Sequence, residues 1–298
     1  MEIIKGKITW INIVSPKKGD IEYLEKVYHI HPLVLEELGE PSARTKVAKY
    51  NGYLFLVIHF PIWDLRKQTS MPYELDVILK KDLIVTIHYL KNKIVEKEII
   101  EKVKRKKLID RGTVETFYAI VEDFLELAMR QIRHIGRKID EVEEKIFRQT
   151  EEEKTVIQIS YIKRDILDFR RIFRWLRMIL NSLCEEGPKI FGQNYKIYFD
   201  DLSGDSLKVE NTIDNFADTM ESLEITNNSL VQTRIDKLSK IFTIVSIITW
   251  PTLIIISVYQ MNVALPLTEG PFAFLKVCGI SILPSILIYI YLHFKKYL

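Results

Sequence analysis

Cysteine is almost missing from this chain of 298 residues: Cys184 and Cys278 are the only two. The first lies in a charged stretch and the second in an apolar run. That arrangement offers neither a disulfide framework nor a CxxC or Cys/His zinc spacing. The glycine-rich phosphate loop GxxxxGK(S/T), GxGxxG, GxSxG and HExxH are absent as well. With them go the common routes to nucleotide, hydride, acyl-transfer and zinc-hydrolase chemistry. The six histidines (29, 31, 59, 88, 134, 293) do not cluster, apart from His29 and His31, which alternate faces if extended. The expectation is that the chain is not an enzyme and uses no organic cofactor.

Charge of one sign is also lacking. Lys plus Arg number 43 and Asp plus Glu 40, a net charge of +3. The basic run Lys102 to Lys107 follows Glu96, Glu98 and Glu101 and has no stacking aromatics, so no nucleic-acid partner is expected. Met1 to Gly6 shows no apolar signal core, which places the bulk of the chain in the cytoplasm.

The most informative absence is local. Hydrophobic residues are 47% and charged residues 28%, ordinary for a soluble protein, yet no charge occurs between Lys240 and Glu269, nor between Lys276 and Lys295. Ile241 to Met261 is long enough at about 1.5 Å per residue to cross a hydrocarbon core of about 30 Å. A second run, 272–294, is long enough too, with Lys276 near one end where it can snorkel. Buried core helices seldom reach such lengths without a charge, so two membrane helices are expected, about 241–261 and 272–294. Arg234, Lys237, Lys240, Lys295 and Lys296 flank them, and the loop between carries only Glu269. Both termini are therefore expected in the cytoplasm. Tyr259, Tyr289, Tyr291 and Tyr297 suit the interfacial belt.

Residues 1–112 read as a cytoplasmic α/β domain. Ile8 to Ile13 and Gly52 to Phe60 are β-rich, and Glu74 to Lys80 and Leu83 to His88 form a strand pair turning at Lys81-Asp82. Asp20 is expected to cap a helix over 21–28, and Pro32 to open one over 33–38. Ile94, Val95, Ile99, Ile100 and Val103 recur at near-helical spacing. Residues 113–238 read as a helical hairpin and a stalk. Phe117, Ile120, Val121, Phe124, Leu127, Ala128, Ile132, Ile135, Ile139, Val142 and Ile146 mark one stripe. Glu151 to Glu153 mark the tip, and Ile157, Ile162, Ile166, Phe169, Phe173 and Leu176 mark the return. The acids at 140, 141, 143 and 144 read as a solvated helix face. Val209, Ile213, Phe216, Met220, Leu223 and Leu230 then follow a 4-3 seam. Neither Pro nor Gly intervenes between Asp205 and Trp250, so one helix of about 55 residues is expected to run into the first span, with only a local bend at Pro251. The third segment, 239–298, holds the two spans.

Asp236, Ser239, Thr243, Ser246, Trp250, Leu253 and Ser257 share one stripe of the first span, and Asn262 lies beyond its far end. Ser and Thr back-bonding to their own helix would explain the hydroxyls, but not Asp236 and Asn262. Two membrane helices cannot surround a hole. A pore needs several copies, with these positions repeated as rings of oxygen, which suit a hard cation such as Mg2+.

These segments together resemble the CorA family of two-helix divalent-cation transporters over nearly the whole chain. His31 to Leu38 is similar to its HPLALEDL segment, and Lys163-Arg164 through Leu176-Arg177 to its LKR…LRR…LR helix. Tyr198 to Asp201 with Asn211 to Asp214 resembles the start of its stalk, and Pro251-Thr252-Leu253 the proline of its first span. Tyr259-Gln260-Met261-Asn262 falls where the family has Tyr-Gly-Met-Asn. The resemblance implies a homopentamer with an α/β funnel and a pore lined by the first span in a cell membrane. It also implies Asn262 as the outer ring receiving hydrated Mg2+, Phe242 and Trp250 at an apolar constriction, and Asp236 at the cytoplasmic end, where members usually carry Asn. Asp201 matches a carboxylate that helps bind regulatory Mg2+. Ile225 stands where some members place Asp. Gln260 replaces the motif Gly, which predicts a strained backbone or a different loop. Transport of Zn2+ or another divalent cation, or a non-conducting metal-sensing oligomer, remains an alternative to Mg2+ transport.

Overall fold

The computed structural model describes residues 1–105, 108–148, 152–263, 265–267 and 270–295. These divide into two compact units, Met1–Glu224 and Ile225–Leu298. Part of the expected hairpin tip (Glu151), the loop charge Glu269 and the flanking Lys296 and Tyr297 lie outside the described residues.

The first unit is built on a six-stranded sheet. Its strands are β1 (Glu2–Lys5), β2 (Thr9–Val14), β3 (Lys46–Tyr50), β4 (Tyr53–Asp64), β5 (Thr69–Lys80) and β6 (Leu83–His88). They lie in the order β1-β2-β6-β5-β4-β3. Only β2 and β6 pair in parallel; the other neighbours are antiparallel. Both faces are covered, so β4 and β6 are near-continuously apolar and buried rather than alternating.

One face packs on α1 (Lys18–Tyr28) and α2 (Pro32–Glu37) through Ile11, Phe55, Val57 and Val85 against Leu24, Val34 and Leu38. Asp20 is not the cap of α1. The helix begins earlier, and the Asp20 carboxylate accepts from the Lys17 N–H at 2.9 Å from within the first turn. Pro32 does open α2, and the His31 ring caps it by accepting from Leu33 N–H at 3.2 Å. His29 closes α1 in the left-handed conformation, so this histidine pair serves helix ends.

Toward the helical hairpin, Phe60 stacks on Phe124 with ring centroids 4.0 Å apart, and Tyr73 lies 6.0 Å from the same ring. Within the sheet, Trp10 Nε1–H donates to Thr86 Oγ1 at 3.0 Å, and Thr86 donates to Asn12 Oδ1 at 2.9 Å. Because that oxygen only accepts, His88 Nε2 must bear the proton it shares with Asn12, leaving Nδ1 to accept from the Tyr73 hydroxyl at 2.9 Å. Burial keeps the imidazole neutral, its pKa pushed down to about 4.

Residues 93–105 and 108–110 are helical but broken: α3 (Lys93–Val95), a π turn (Glu96–Ile100), α4 (Glu101–Arg105) and a 3-10 turn (Leu108–Asp110). Then follow α5 (Thr113–Arg148), α6 (Glu152–Phe191) and α7 (Lys196–Tyr259). The α5 stripe is buried as its spacing predicts, except that Leu127 is half-buried and Leu125 takes its place. On α6 the phase differs by two residues at the start. Ile157 is exposed and Ile159 buried, since only Ile159 keeps step with Ile162, Ile166, Phe169, Phe173 and Leu176. Charges then set the pairing of α6 with α7 inside this unit. Lys163, Arg170 and Arg177, seven residues apart, meet Glu224, Asp214 and Glu210, with Arg170 Nε 2.7 Å from Asp214 Oδ1. The opposite numbering makes the two helices antiparallel. Gly187 lets the Phe199 ring lie close against α6, because a Cβ there would fall 2.5 Å from Phe199 Cε2.

The second unit contains the remainder of α7 and α8 (Ala273–Phe294). Both helices are long and apolar enough to cross a membrane. α7 runs from Lys196 to Tyr259, 64 residues against about 55 expected, because it begins at Lys196 and not near Leu202, the start the sequence suggests.

Candidate functional site: a polar face of the membrane helix

Within the second unit, α7 turns one face to α8. Thr252 Oγ1 lies 2.9 Å from the Ser281 carbonyl oxygen and 2.7 Å from Ser285 Oγ, and both serines are buried. Ile244, Ile248, Ile255 and Tyr259 fall on the same side and are partly covered. At about 100° per residue, Asp236, Ser239, Thr243, Ser246, Trp250, Leu253 and Ser257 occupy the opposite side. The polar stripe therefore faces away from its own partner helix. Phe242, at its flank, is 71% exposed and Trp250 66%.

Two hydroxyls of the stripe spend their protons on the helix itself: Thr243 donates to the Ser239 carbonyl at 2.8 Å and Ser246 to the Phe242 carbonyl at 2.8 Å. Thr249, nearer the α8 side, donates to the Val245 carbonyl at 3.0 Å. Such back-bonding is the ordinary habit of Ser and Thr in membrane helices. Its chemical result is that lone pairs, not donors, point outward. A face of acceptors next to bulky apolar rings attracts cations and repels anions. At one end of the stripe, Asp236 Oδ1 accepts from Gln232 Nε2 at 2.9 Å, which fixes the carboxylate along the helix.

At the other end the helix stops at Tyr259 without strain. Gln260 N–H still reaches the Ile256 carbonyl at 3.1 Å, and Met261 N–H the Val258 carbonyl at 3.1 Å. Gln260 is not among the residues with positive φ. The strain expected from Gln in place of Gly is thus corrected: this position continues the helical turn, which any L-residue can do. Tyr259 OH donates to the Pro266 carbonyl at 3.2 Å and ties the loop back to the helix. Gln260, Met261 and Asn262 are all exposed.

Asp201 lies in the first unit, where its Oδ2 accepts from Tyr118 OH at 2.7 Å; Glu122 Oε1 is 3.2 Å from the same hydroxyl. Burial, reinforced by Asp201 and Glu122, pushes the Tyr118 phenol above its ordinary value. Asp205 is engaged elsewhere, 2.7 Å from Lys208. Among the described residues no three His, Cys, Asp or Glu side chains are grouped to hold a metal. The Thr252–Ser281–Ser285 clasp was missed by the sequence reading. Its signal was the i, i+4 spacing of small polar residues in the second span, a common helix-contact pattern in membranes.

Several known proteins are similar to this chain over most of its length. The cobalt/magnesium transport protein CorA of Thermotoga maritima is 25% identical over 97% of this chain and 83% of that protein. Its namesake from Methanocaldococcus jannaschii is 22% identical over 96% of this chain and 90% of that protein. The complete structure of the CorA magnesium transporter from Methanocaldococcus jannaschii superposes with a TM-score of 0.81 at 20% identity, covering 96% of this chain and 90% of that one. The full-length CmaX protein superposes at 0.75 with 12% identity, over 100% of this chain and 90% of the other. These two structures share the fold of α/β unit, long helices and paired membrane helices. The model of the CorA-like Mg2+ transporter protein family matches residues 5–296, and the chain belongs to that family.

Proposed function

We propose that this chain is one protomer of a homopentameric membrane pore that conducts Mg2+, with α7 lining the path. The observation that carries this reading is the stripe turned away from α8, polar at Asp236, Ser239, Thr243, Ser246 and Ser257, interrupted by Trp250 and Leu253, and followed by exposed Asn262. Five copies arranged with these stripes inward form a water-filled path of oxygen atoms, narrowed where Phe242 and Trp250 stand. Bulky apolar rings at a constriction gate by dewetting. Asn262, Met261, Gln260 and Tyr259 form the mouth. Mg2+ sheds water reluctantly, so neutral carbonyl oxygens that hydrogen-bond its hydration shell suit entry better than a stripping cage. No nucleotide is needed: a divalent ion entering a negative interior gains about 4.6 kcal/mol per 100 mV, twice the value for a unit charge. Asp201, with the oxygens of Tyr118 and Glu122 beside it, supplies hard ligands for a regulatory Mg2+ shared with a neighbouring copy.

The decisive experiment is uptake of Mg2+ into liposomes holding the purified full-length chain. Potential-driven entry supports the reading. Entry of Zn2+ in preference to Mg2+ replaces the ion, and no entry of either points to a non-conducting sensor.

Orientation is tested separately. Arg234, Lys237, Lys240 and Lys295 put both termini in the cytoplasm by the positive-inside bias. In intact cells, a single cysteine at Thr268 should react with an impermeant thiol reagent, and one at Ser15 should react only after lysis. Labelling at Ser15 from outside reverses the topology.

A further inference from the structure

A cavity of about 480 Å³ opens in the first unit at the carboxyl ends of the parallel pair β2 and β6. Ligands of open α/β sheets gather at such ends, and the volume falls in the ~300–1,000 Å³ range of small-molecule sites. Asn12, His88 and Tyr73 form its floor. They lie on the face away from α1 and α2, since Ile11, Ile13 and Ile87, which alternate with them, pack on those helices. The opposite wall is the π turn Glu96–Ile100 with the start of α4. A π turn is a rare conformation, met most often at functional sites.

Asn12 is only 5% exposed, and the two ends of its amide have different company. The Trp10 indole can only donate, so Thr86 Oγ1 accepts from it and spends its own proton on Asn12. That places the Asn12 oxygen at Thr86, where it also accepts from His88 Nε2–H at 3.0 Å. The amide nitrogen is left toward the cavity with two N–H donors, and no described residue accepts from it. A buried donor without an acceptor is costly. Whatever fills the cavity therefore has to bring an acceptor.

The charges on the lining narrow its chemistry. Lys104 is held by both oxygens of Glu2, at 2.6 and 2.7 Å. Lys91 and Glu96 are exposed at the mouth, and neither has an ion-pair partner among the described residues. Val14, Leu90, Val95 and Ile100 supply aliphatic surface. A phosphate ester calls for several free cations, and Lys104 is already spent. A metal calls for grouped carboxylates or imidazoles, and among the described residues no three are grouped. A purely apolar ligand leaves the Asn12 donors unmet. One free donor pair, one free cation, one free anion and aliphatic walls fit a small zwitterion.

We propose that this cavity binds a free α-amino acid with an aliphatic side chain. Its carboxylate accepts from Asn12 Nδ2 and Lys91, its ammonium donates to Glu96, and its side chain lies on Val95 and Ile100. The site needs only the first unit and stands apart from the transport reading.

The test is calorimetric titration of the full-length chain in nanodiscs with L-leucine and with its two halves. These are 4-methylpentanoate, which lacks the ammonium, and 3-methylbutylamine, which lacks the carboxylate. Leucine should bind saturably, and each half at least about tenfold more weakly, because each loses a charge-assisted hydrogen bond. Glu96→Gln should weaken leucine about tenfold yet leave 4-methylpentanoate as tight as before, a crossover that a merely structural defect does not produce. Asn12→Asp keeps the oxygen that Thr86 and His88 use but turns the free donors into an acceptor, and should abolish leucine binding. If Asn12→Asp fails to fold, the Glu96→Gln crossover decides. No saturable heat with leucine in the millimolar range means that the cavity holds only water, and overturns the proposal. So does 4-methylpentanoate binding as tightly as leucine, which makes this a site for simple anions.

Discussion

Replacing Asn262 by Ala is expected to lower the initial rate of Mg2+ uptake into liposomes by about a hundredfold or more. The reasoning is additive around the proposed ring. Each Asn262 carbonyl contributes a hydrogen bond to the water shell of the ion, worth about 0.5–1.5 kcal/mol net. Five such losses total about 2.5–7.5 kcal/mol, from about level with to well above the roughly 2.7 kcal/mol that a hundredfold requires. Alanine leaves the backbone unchanged, so a folding defect should not intervene; thermal stability of the variant checks this. Gln260→Gly provides the contrast. Because Gln260 sits in an unstrained helical turn, removing its side chain should relieve crowding at the mouth without changing the fold, and uptake should hold or rise. If Asn262→Ala transports normally, the ring is misplaced. If the parent conducts nothing and Gln260→Gly does, the natural protein is a sensor rather than a conductor.

Phe124→Ala is expected to cost the first unit about 3–5 kcal/mol, the range for emptying a buried aromatic site. Phe124 is 1% exposed, stacks on Phe60 and lies beside Tyr73. It is thus the point where α5 grips β4 and β5. The site cannot collapse easily, since its neighbours belong to paired strands in a rigid sheet. Chemical denaturation should show a lower midpoint with little change in slope. A loss under 1 kcal/mol would mean that the hairpin repacks around the void.

Much of this architecture was legible because hydrophobic spacing and missing charge are strong signals. The α5 stripe from Phe117 to Ile146 and the two charge-free runs needed no tertiary information. Elsewhere the determining contacts are distant in sequence. β1 and β3 are short edge strands whose existence depends on β2 and β4, so their own residues carry little signal. The heptad of Lys163, Arg170 and Arg177 reads as a solvated face until Glu224, Asp214 and Glu210 arrive from α7. Asp76 interrupts an apolar strand, yet nothing local reveals that Tyr89 will donate to one of its oxygens. The polar stripe of α7 was visible from spacing alone. Which side it faces depended on Thr252 finding Ser281 and Ser285, a fact of packing rather than of pattern.

The single parallel pairing in the sheet has a consequence for synthesis. The sequence gap bridged there is long: Trp10 and Thr86, which hydrogen-bond across the pair, are 76 positions apart. By contrast, β3 to β6 form a run of antiparallel neighbours joined by short turns. A nascent chain can assemble that meander from local contacts, whose loop closure is entropically cheap. β2 has no partner other than β1 until β6 has left the ribosome. The β2 strand is therefore among the last to be locked, and Trp10, Ile11 and Ile13, all buried at the end, stay uncovered while most of the sheet is being translated. That apolar segment must wait, unpaired with β6, until residue 88 is made, still well before either membrane helix is synthesised.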